Sequence, residues 1–268
     1  ALTVSHPSAP ETVVAVQTFG SSTFGKTDGF VTDWGNSYPS NPIGKFPFAS
    51  GTVTAMPGPF GYTYQRSSCG NNDTAIYLSP WPGANTSIVK CPVATGAASQ
   101  LTVTGPGLNT SSGNSNPGGG GQSDTHYYET GFGNNPNPGP ASGTNINKVP
   151  FANDTKIFFT GSLSAIQGAF HANCCSDTSI YTQCGTPPGD ATVLDKFPFA
   201  LPSGTATDVG TLGPAPQGRW GGAGISSSTH GHHIGGAGSS NVIKYPFALT
   251  SGVTATNHCT PSNPNGLY

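Results

Sequence analysis

The stretch Val193-Leu-Asp-Lys-Phe-Pro-Phe-Ala200 decides how this chain of 268 residues is read, because its core recurs along the sequence. The copies are Lys45-Phe-Pro-Phe-Ala49, Lys90-Cys-Pro-Val-Ala94, Lys148-Val-Pro-Phe-Ala152, Lys196-Phe-Pro-Phe-Ala200 and Lys244-Tyr-Pro-Phe-Ala248. Five of the seven lysines stand at this one position, a concentration that an internal repeat explains and chance does not. A second marker precedes each copy: Lys26-Thr-Asp-Gly-Phe30, Asp73-Thr-Ala-Ile-Tyr77, Asp124-Thr-His-Tyr-Tyr128, Asp177-Thr-Ser-Ile-Tyr181 and Ser228-Thr-His-Gly-His232. Its threonines are Thr27, Thr74, Thr125, Thr178 and Thr229.

Working outward, a β-branched run follows each Pro-Phe-Ala, as in Thr52-Val-Thr-Ala-Met56 and Ile157-Phe-Phe-Thr160. An aromatic or small-residue run comes next, as in Ala169-Phe-His-Ala172 and Arg219-Trp-Gly-Gly222. Each unit therefore holds four short extended segments separated by Gly, Pro, Asn and Ser turns. Proline has no N–H to give a sheet, so Pro47, Pro92, Pro150, Pro198 and Pro246 belong on an edge or at a strand end. Units of about 50 residues with four strands are the mark of a β-propeller, since one such sheet cannot bury its two faces alone. The sequence thus predicts one all-β domain, residues 1–268, folded as a five-bladed β-propeller of four-stranded blades. Its units are expected at about 45–89, 90–147, 148–195, 196–243, and 244–268 closed by 1–44, so that the amino- and carboxy-terminal segments complete one blade together.

Composition agrees and excludes much else. With 39 glycines, 25 prolines and 7% charged residues, the chain lacks the runs that helical bundles and Rossmann-type enzymes are made of. A net charge of −2 argues against a charged disordered tail, and nine Lys plus Arg give no basic stripe for nucleic acid. No apolar stretch reaches the length of a membrane span, and no amino-terminal leader is evident. Six cysteines, Cys69, Cys91, Cys174, Cys175, Cys184 and Cys259, form no Cys-x-x-Cys pair. In a neutral, Ser/Thr/Asn-rich chain they point to disulfides and an extracellular setting, with a short loop from Cys174 or Cys175 to Cys184 the first choice. Six cysteines allow fifteen full pairings, however, and free buried thiols are the alternative. Four Asn-x-Ser/Thr sequons, at Asn72, Asn85, Asn109 and Asn153, carry little weight in so Asn- and Thr-rich a sequence.

The copy running from Val193 to Ala200, through Ala206-Thr-Asp-Val-Gly-Thr-Leu212 and Arg219 to Ser228-Thr-His-Gly231 and Gly235-Gly236, resembles repeats of virion and tail-associated proteins of phages and other aquatic viruses. It is also similar to kelch-type and RCC1-type propeller repeats. The resemblance covers most of the chain, and the Lys90 unit departs from it most. It implies a capsid-, tail- or fibre-associated protein on a virion surface or outside the cell, present in several copies and partnered by other virion or surface proteins. Fold resemblance by itself does not fix an activity.

Site chemistry is sparse. His230 and His232 share a strand face at i and i+2 and are the best metal candidates, yet His230 repeats the position of His126 and has a structural reading as well. No Gly-x-Ser-x-Gly elbow or His-Glu-x-x-His is present, and Glu11 and Glu129 are the two glutamates. Asp73, Asp124 and Asp177 share one repeat position, where capping a turn is the simpler role. The five motif lysines fit a repeated structural task, an ammonium pairing with an aspartate of the next blade, better than a ring that binds anions. Trp34, Trp81 and Trp220 are candidate glycan contacts, provided they are exposed. The expectation is a non-enzymatic structural or adhesion protein without cofactor, with a lectin-like propeller contacting host glycans as the alternative and a metal-dependent kelch-type oxidase behind it.

Overall fold

In the computed structural model, the structure describes residues 2–5, 12–15, 22–24, 28–31, 43–47, 50, 52, 54–56, 68–72, 74–79, 88–97, 99–101, 119–130, 145–154, 157–165, 172–183, 193–200, 204–211, 223–234, 242–249, 253–254 and 256–259. Period-two sequence and Gly/Pro punctuation give strands of two to six residues, and consecutive strands pair antiparallel as meanders. Sheet 1 holds Ser22–Phe24, Asp28–Val31, Gly44–Pro47 and Thr54–Ala55. Sheet 2 holds Ser68–Asn71, Ala75–Ser79, Val89–Pro92 and Ser99–Gln100, and sheet 3 Gly119–Gln122, His126–Thr130, Asn145–Pro150 and Ile157–Ser162. Sheet 4 holds Ala172–Cys175, Ser179–Gln183, Val193–Pro198 and Thr207–Thr211, extended by Val253–Thr254 in parallel. Sheet 5 holds Ala223–Ser226, His230–Ile234, Val242–Pro246 and Thr256–Cys259. A separate hairpin pairs Leu2–Ser5 with Thr12–Ala15.

The strand pairing corrects one expectation. Sheet 5, which contains Lys244, is completed by its own neighbours between 223 and 259 and takes no strand from the first 44 residues. The reason is one of frame. Phe30 pairs directly with Lys45, as Tyr77 does with Lys90, so the threonine marker and the following lysine motif are second and third strands of one sheet. A frame begun at each lysine is therefore displaced by two strands from the sheets. Each motif proline closes its third strand, where the missing N–H removes no ladder bond.

The core is divided among the interfaces between consecutive sheets, and sheets 2, 3 and 4 each bury both faces. Phe30, Ile43 and Met56 meet Ile76, Leu78, Val89 and Cys91 between sheets 1 and 2. Ala75, Tyr77 and Ile88 meet Tyr127 and Val149 between sheets 2 and 3. Tyr128, Ile146 and Leu163 meet Ile180, Phe197 and Ala206 between sheets 3 and 4. Cys174, Tyr181, Leu194 and Val209 meet Ile243, Tyr245, Phe247 and Leu249 between sheets 4 and 5. First strands approach most closely. A Cβ at Gly224 would stand 2.1 Å from the carbonyl oxygen of Asn173, so this contact between sheets 4 and 5 requires glycine.

The cysteines overturn a second expectation. Cys91, Cys174 and Cys175 are free thiols, so the short loop to Cys184 does not form. Neighbouring residues on a strand point to opposite faces: Cys174 donates to the carbonyls of Ile225 and His232 in sheet 5, whereas Cys175 accepts the Gln122 N–H of sheet 3. Cys184 and the side chains of Cys69 and Cys259 lie outside the described residues.

Candidate functional site

Three repeated devices account for most of the motif residues. The first is a tight turn between first and second strands. The side-chain oxygens of Asn72, Ser123, Ser176 and Ser227 accept the N–H groups two and three residues on. The residue preceding the aspartate, rather than the aspartate, caps this turn. The carbonyls of Thr74, Thr125, Thr178 and Thr229 then accept the N–H groups of Val93, Phe151, Phe199 and Phe247, each the residue after a motif proline. This bond joins the two sequence markers. Thr27 lies outside the described residues.

The second device is an aromatic joint. Tyr77, Tyr128 and Tyr181 stand at one repeat position and pack on Phe151, Phe199 and Phe247 of the next sheet, tilted at Tyr77 and stacked at the other two, with centroids 4.9, 5.3 and 4.8 Å apart. The Tyr128 and Tyr181 hydroxyls donate to the carbonyls of Phe199 and Phe247, while Tyr77 donates to Asp154 Oδ1 at 2.7 Å. Across each strand pair the lysine covers the tyrosine: Lys90, Lys148 and Lys196 Nζ lie 5.4–5.6 Å from the rings of Tyr77, Tyr128 and Tyr181. Lys90 also pairs with Asp154 of sheet 3 at 2.6 Å, and Lys45 with Asp28 of its own sheet at 3.3 Å. Lys244 faces His232, which stands in the tyrosine position of sheet 5. Burial and the Asp154 contact push the Tyr77 phenol well up, and burial raises Tyr128 to about 12; both rings stay neutral partners for the ammonium groups.

The third device runs between first strands and escaped the sequence reading. The N–H of Asn71 donates to Gln122 Oε1 (2.7 Å), that of Gln122 to Cys175 Sγ (3.4 Å), and that of Cys175 to Ser226 Oγ (2.7 Å). One repeat position thus hands a hydrogen bond from sheet to sheet. The three acceptors share only the capacity to accept, and residue identity hid the pattern.

What the repeat leaves over gathers at one end of the sheets. At the end of the second strand and the start of the third, sheet 2 places Leu78 opposite Val89. Sheet 3 places Glu129 opposite Asn147, sheet 4 Thr182 opposite Asp195, and sheet 5 His233 opposite Ile243. All five polar residues are buried. Asn147 Nδ2 donates to Glu129 Oε2, and the N–H and hydroxyl of Ser164 donate to Asp195. From this end leave the connections 32–43, 80–88, 131–144, 184–192 and 235–241, together with those that lead from each fourth strand to the next first strand. Trp34, Trp81 and Trp220 fall by sequence in connections of this end and lie outside the described residues.

For metal chemistry, the rings of His230 and His232 stand 6.5 Å apart, and the His230 Nδ1 is engaged by the Thr229 hydroxyl at 2.8 Å. Cys174 packs against Tyr245 and the His232 carbonyl, a convergence of Cys, Tyr and His that sequence spacing does not reveal. Among the described residues, no group of three or more His, Cys, Asp and Glu is placed to hold a metal ion. Among the described residues, no helix is long and apolar enough to cross a membrane.

No protein-family model matches the chain, and no curated protein matches it in sequence. Solved structures do match in shape. The structure of YjhT superposes with a TM-score of 0.69 at 12% identity, covering 93% of this chain and 86% of that one. A chain of the nidogen/laminin complex superposes with a TM-score of 0.58 at 12% identity, covering 89% and 79%. At such identity the likeness speaks for the fold, which is all-β and propeller-like.

Proposed function

We propose that the chain is a non-enzymatic structural or adhesion module of a virion or extracellular surface, a β-propeller whose blades are the five sheets built on four-stranded meanders. The observation that carries this reading is the use of the repeated polar residues: the threonine carbonyls close turns, Tyr77, Tyr128 and Tyr181 join neighbouring sheets, and Lys90, Lys148 and Lys196 cover those tyrosines. A repeat whose chemistry is consumed internally builds a rigid support, and recognition falls to the connections that differ from copy to copy. The partners are other surface or virion proteins, engaged by several copies of the chain in an assembly. The test is immunogold labelling and mass spectrometry of particles and extracellular fractions from its source. Decorated particles support the reading, and a chain confined to the cytosol refutes it.

A second reading, a glycan-binding propeller, is favoured by the fall of Trp34, Trp81 and Trp220 into connections of one end. A glycan array distinguishes the two. Binding that Trp81→Ala and Trp220→Ala each weaken at least tenfold selects the lectin reading, and an array without hits removes it.

A further inference from the structure

Part of the outward face of sheet 5 is buried. Ile243 and Tyr245 pack on sheet 4, so the alternating residues Val242 and Lys244 point the other way. Ile225 pairs with His232, and His232 with Lys244, so Ile225 shares that outward face. Yet Val242 is 4% exposed and Ile225 9%. Some part of the chain covers them.

We infer that residues 2–15 are a sixth, partial copy of the repeat, the third and fourth strands of a further sheet, and that this hairpin seats on the outward face of sheet 5. Three observations converge. Ser5-His-Pro-Ser-Ala-Pro-Glu-Thr-Val-Val-Ala15 aligns without gaps on Lys45-Phe-Pro-Phe-Ala-Ser-Gly-Thr-Val-Thr-Ala55, sharing Pro, Ala, Thr, Val and Ala at the same steps. The lysine and both phenylalanines are replaced, which hides the copy from a motif search. The strands overlap the aligned ones, each beginning two residues earlier: Leu2–Ser5 and Thr12–Ala15 pair antiparallel, as Gly44–Pro47 and Thr54–Ala55 do. The register differs by two residues, an even shift that keeps the same residues on each face. Finally, the hairpin is followed by Ser22–Phe24, the first strand of sheet 1, just as every fourth strand is followed by the first strand of the next sheet.

The alignment also fixes which way the hairpin faces. In sheet 3, the residues flanking the motif lysine belong to the face that meets the preceding sheet, as Val149 does. Val4 takes such a position, Leu2 lies on the same strand face two residues before it, and their cross-strand partners Val13 and Ala15 share that face. The inferred seat therefore assigns the apolar set Leu2, Val4, Val13 and Ala15 to the sheet 5 side and Thr3, Ser5, Thr12 and Val14 to the sheet 1 side. A two-stranded ribbon is marginal alone and needs such a surface. The link 16–21 spans at most about 25 Å, which confines the hairpin to the neighbourhood of sheet 1, where the seam must lie.

The inference rests on the ring reading, and the experiment separates the two. A photo-cross-linking residue is placed at Val13 or, as control, at Val14 in the full chain, and the linked peptides are mapped. The seat predicts that position 13 links to 223–246 and position 14 to 22–55. Linkage of position 13 to any other sheet, or none to 223–246, overturns the seat while leaving intact a ring seen as a central hole in particle images. Hydrogen exchange after deletion of residues 1–15 adds a second readout. At least tenfold faster exchange in 223–226 and 242–246, with 126–130 unchanged, supports the seat; unchanged exchange at 223–226 and 242–246 refutes it.

Discussion

Asp154 is the residue whose replacement tests the joint between sheets most sharply. Its Oδ1 accepts the Tyr77 hydroxyl at 2.7 Å, and its Oδ2 accepts Lys90 Nζ at 2.6 Å. One carboxylate of sheet 3 thereby holds two residues of sheet 2. It does so from a left-handed backbone, φ 57°, at the step where the preceding unit has Gly96, φ 66°. Both residues donate their N–H to the motif proline carbonyl, Pro150 or Pro92, so the conformation belongs to the repeat and the aspartate is added at the expense of strain. Hydrogen bonds to a charged group contribute about 1.5–3 kcal/mol each. The Lys90 and Asp154 side chains are 26% and 28% exposed, so solvent screening brings the pair to about 2 kcal/mol together. Left-handed backbone at a non-glycine residue costs about 1 kcal/mol. Asp154→Ala loses the contacts and keeps the strain, and should destabilise by about 2–3 kcal/mol. Asp154→Gly loses the contacts but relieves the strain, leaving about 1 kcal/mol. Asp154→Asn tolerates the conformation and should fall between them. Urea unfolding at pH 7 gives the order, and a cycle with Lys90→Met should show coupling of about 1 kcal/mol. A glycine variant at least as stable as the parent, with no coupling to Lys90, refutes the clamp.

Gly224→Ala should destabilise by about 3 kcal/mol or more, because its Cβ meets backbone that cannot yield; thermal melting measures it. Ser226→Ala removes the acceptor of the Cys175 N–H and should lose about 1–2 kcal/mol, largely restored in Ser226→Thr, as read by urea midpoints. Burial raises the Cys91 and Cys174 thiols to about 11 and the Cys175 thiol to about 12. Folded-state values above the ordinary 9 mean stability is complete below pH 9 and is lost as pH rises toward 12, so alkaline unfolding should begin near pH 9 and Cys91 and Cys174 should resist thiol reagents until the chain unfolds. Burial, aided by Lys148, lowers the His126 imidazole below its usual 6.5. Its contribution is therefore present above pH 6.5 and lost as pH falls, and His126→Gln should flatten that acid limb in a pH series of unfolding midpoints.

The repeat was legible because its carriers are rare. Lysine is scarce in this chain, so five copies beside five prolines stand out, and the number of strands per unit followed from the turn residues between them. The pairing frame was not legible, since a motif recurs at the same interval wherever the unit is cut; only the opposition of Phe30 and Lys45 sets it. Turn capping by Ser123, Ser176 and Ser227 was hidden by the abundance of serine, and the conspicuous aspartates beside them drew the assignment instead. The free thiols were misread because an even cysteine count says nothing about direction, whereas adjacent residues on a strand cannot reach one partner.

The same contrast locates function better than any motif does. Where the copies agree, as at Tyr77, Tyr128 and Tyr181 with their lysines, the side chains join sheets, and agreement is what a joint made several times requires. Where they disagree, at Leu78, Glu129, Thr182 and His233 on equivalent second-strand positions, no shared structural task explains the choice. An apolar residue serves that position in sheet 2, so a buried carboxylate or imidazole at the same place in later sheets is not demanded by the fold. Burying such groups is unfavourable unless partners satisfy them, and partners such as Asn147 are themselves departures from the repeat. Divergence of this kind is concentrated at the end from which the long connections leave, and under the proposed surface-module reading that end is where a partner would be met. The opposite end, closed by capped three-residue turns, is the more uniform one and serves the scaffold.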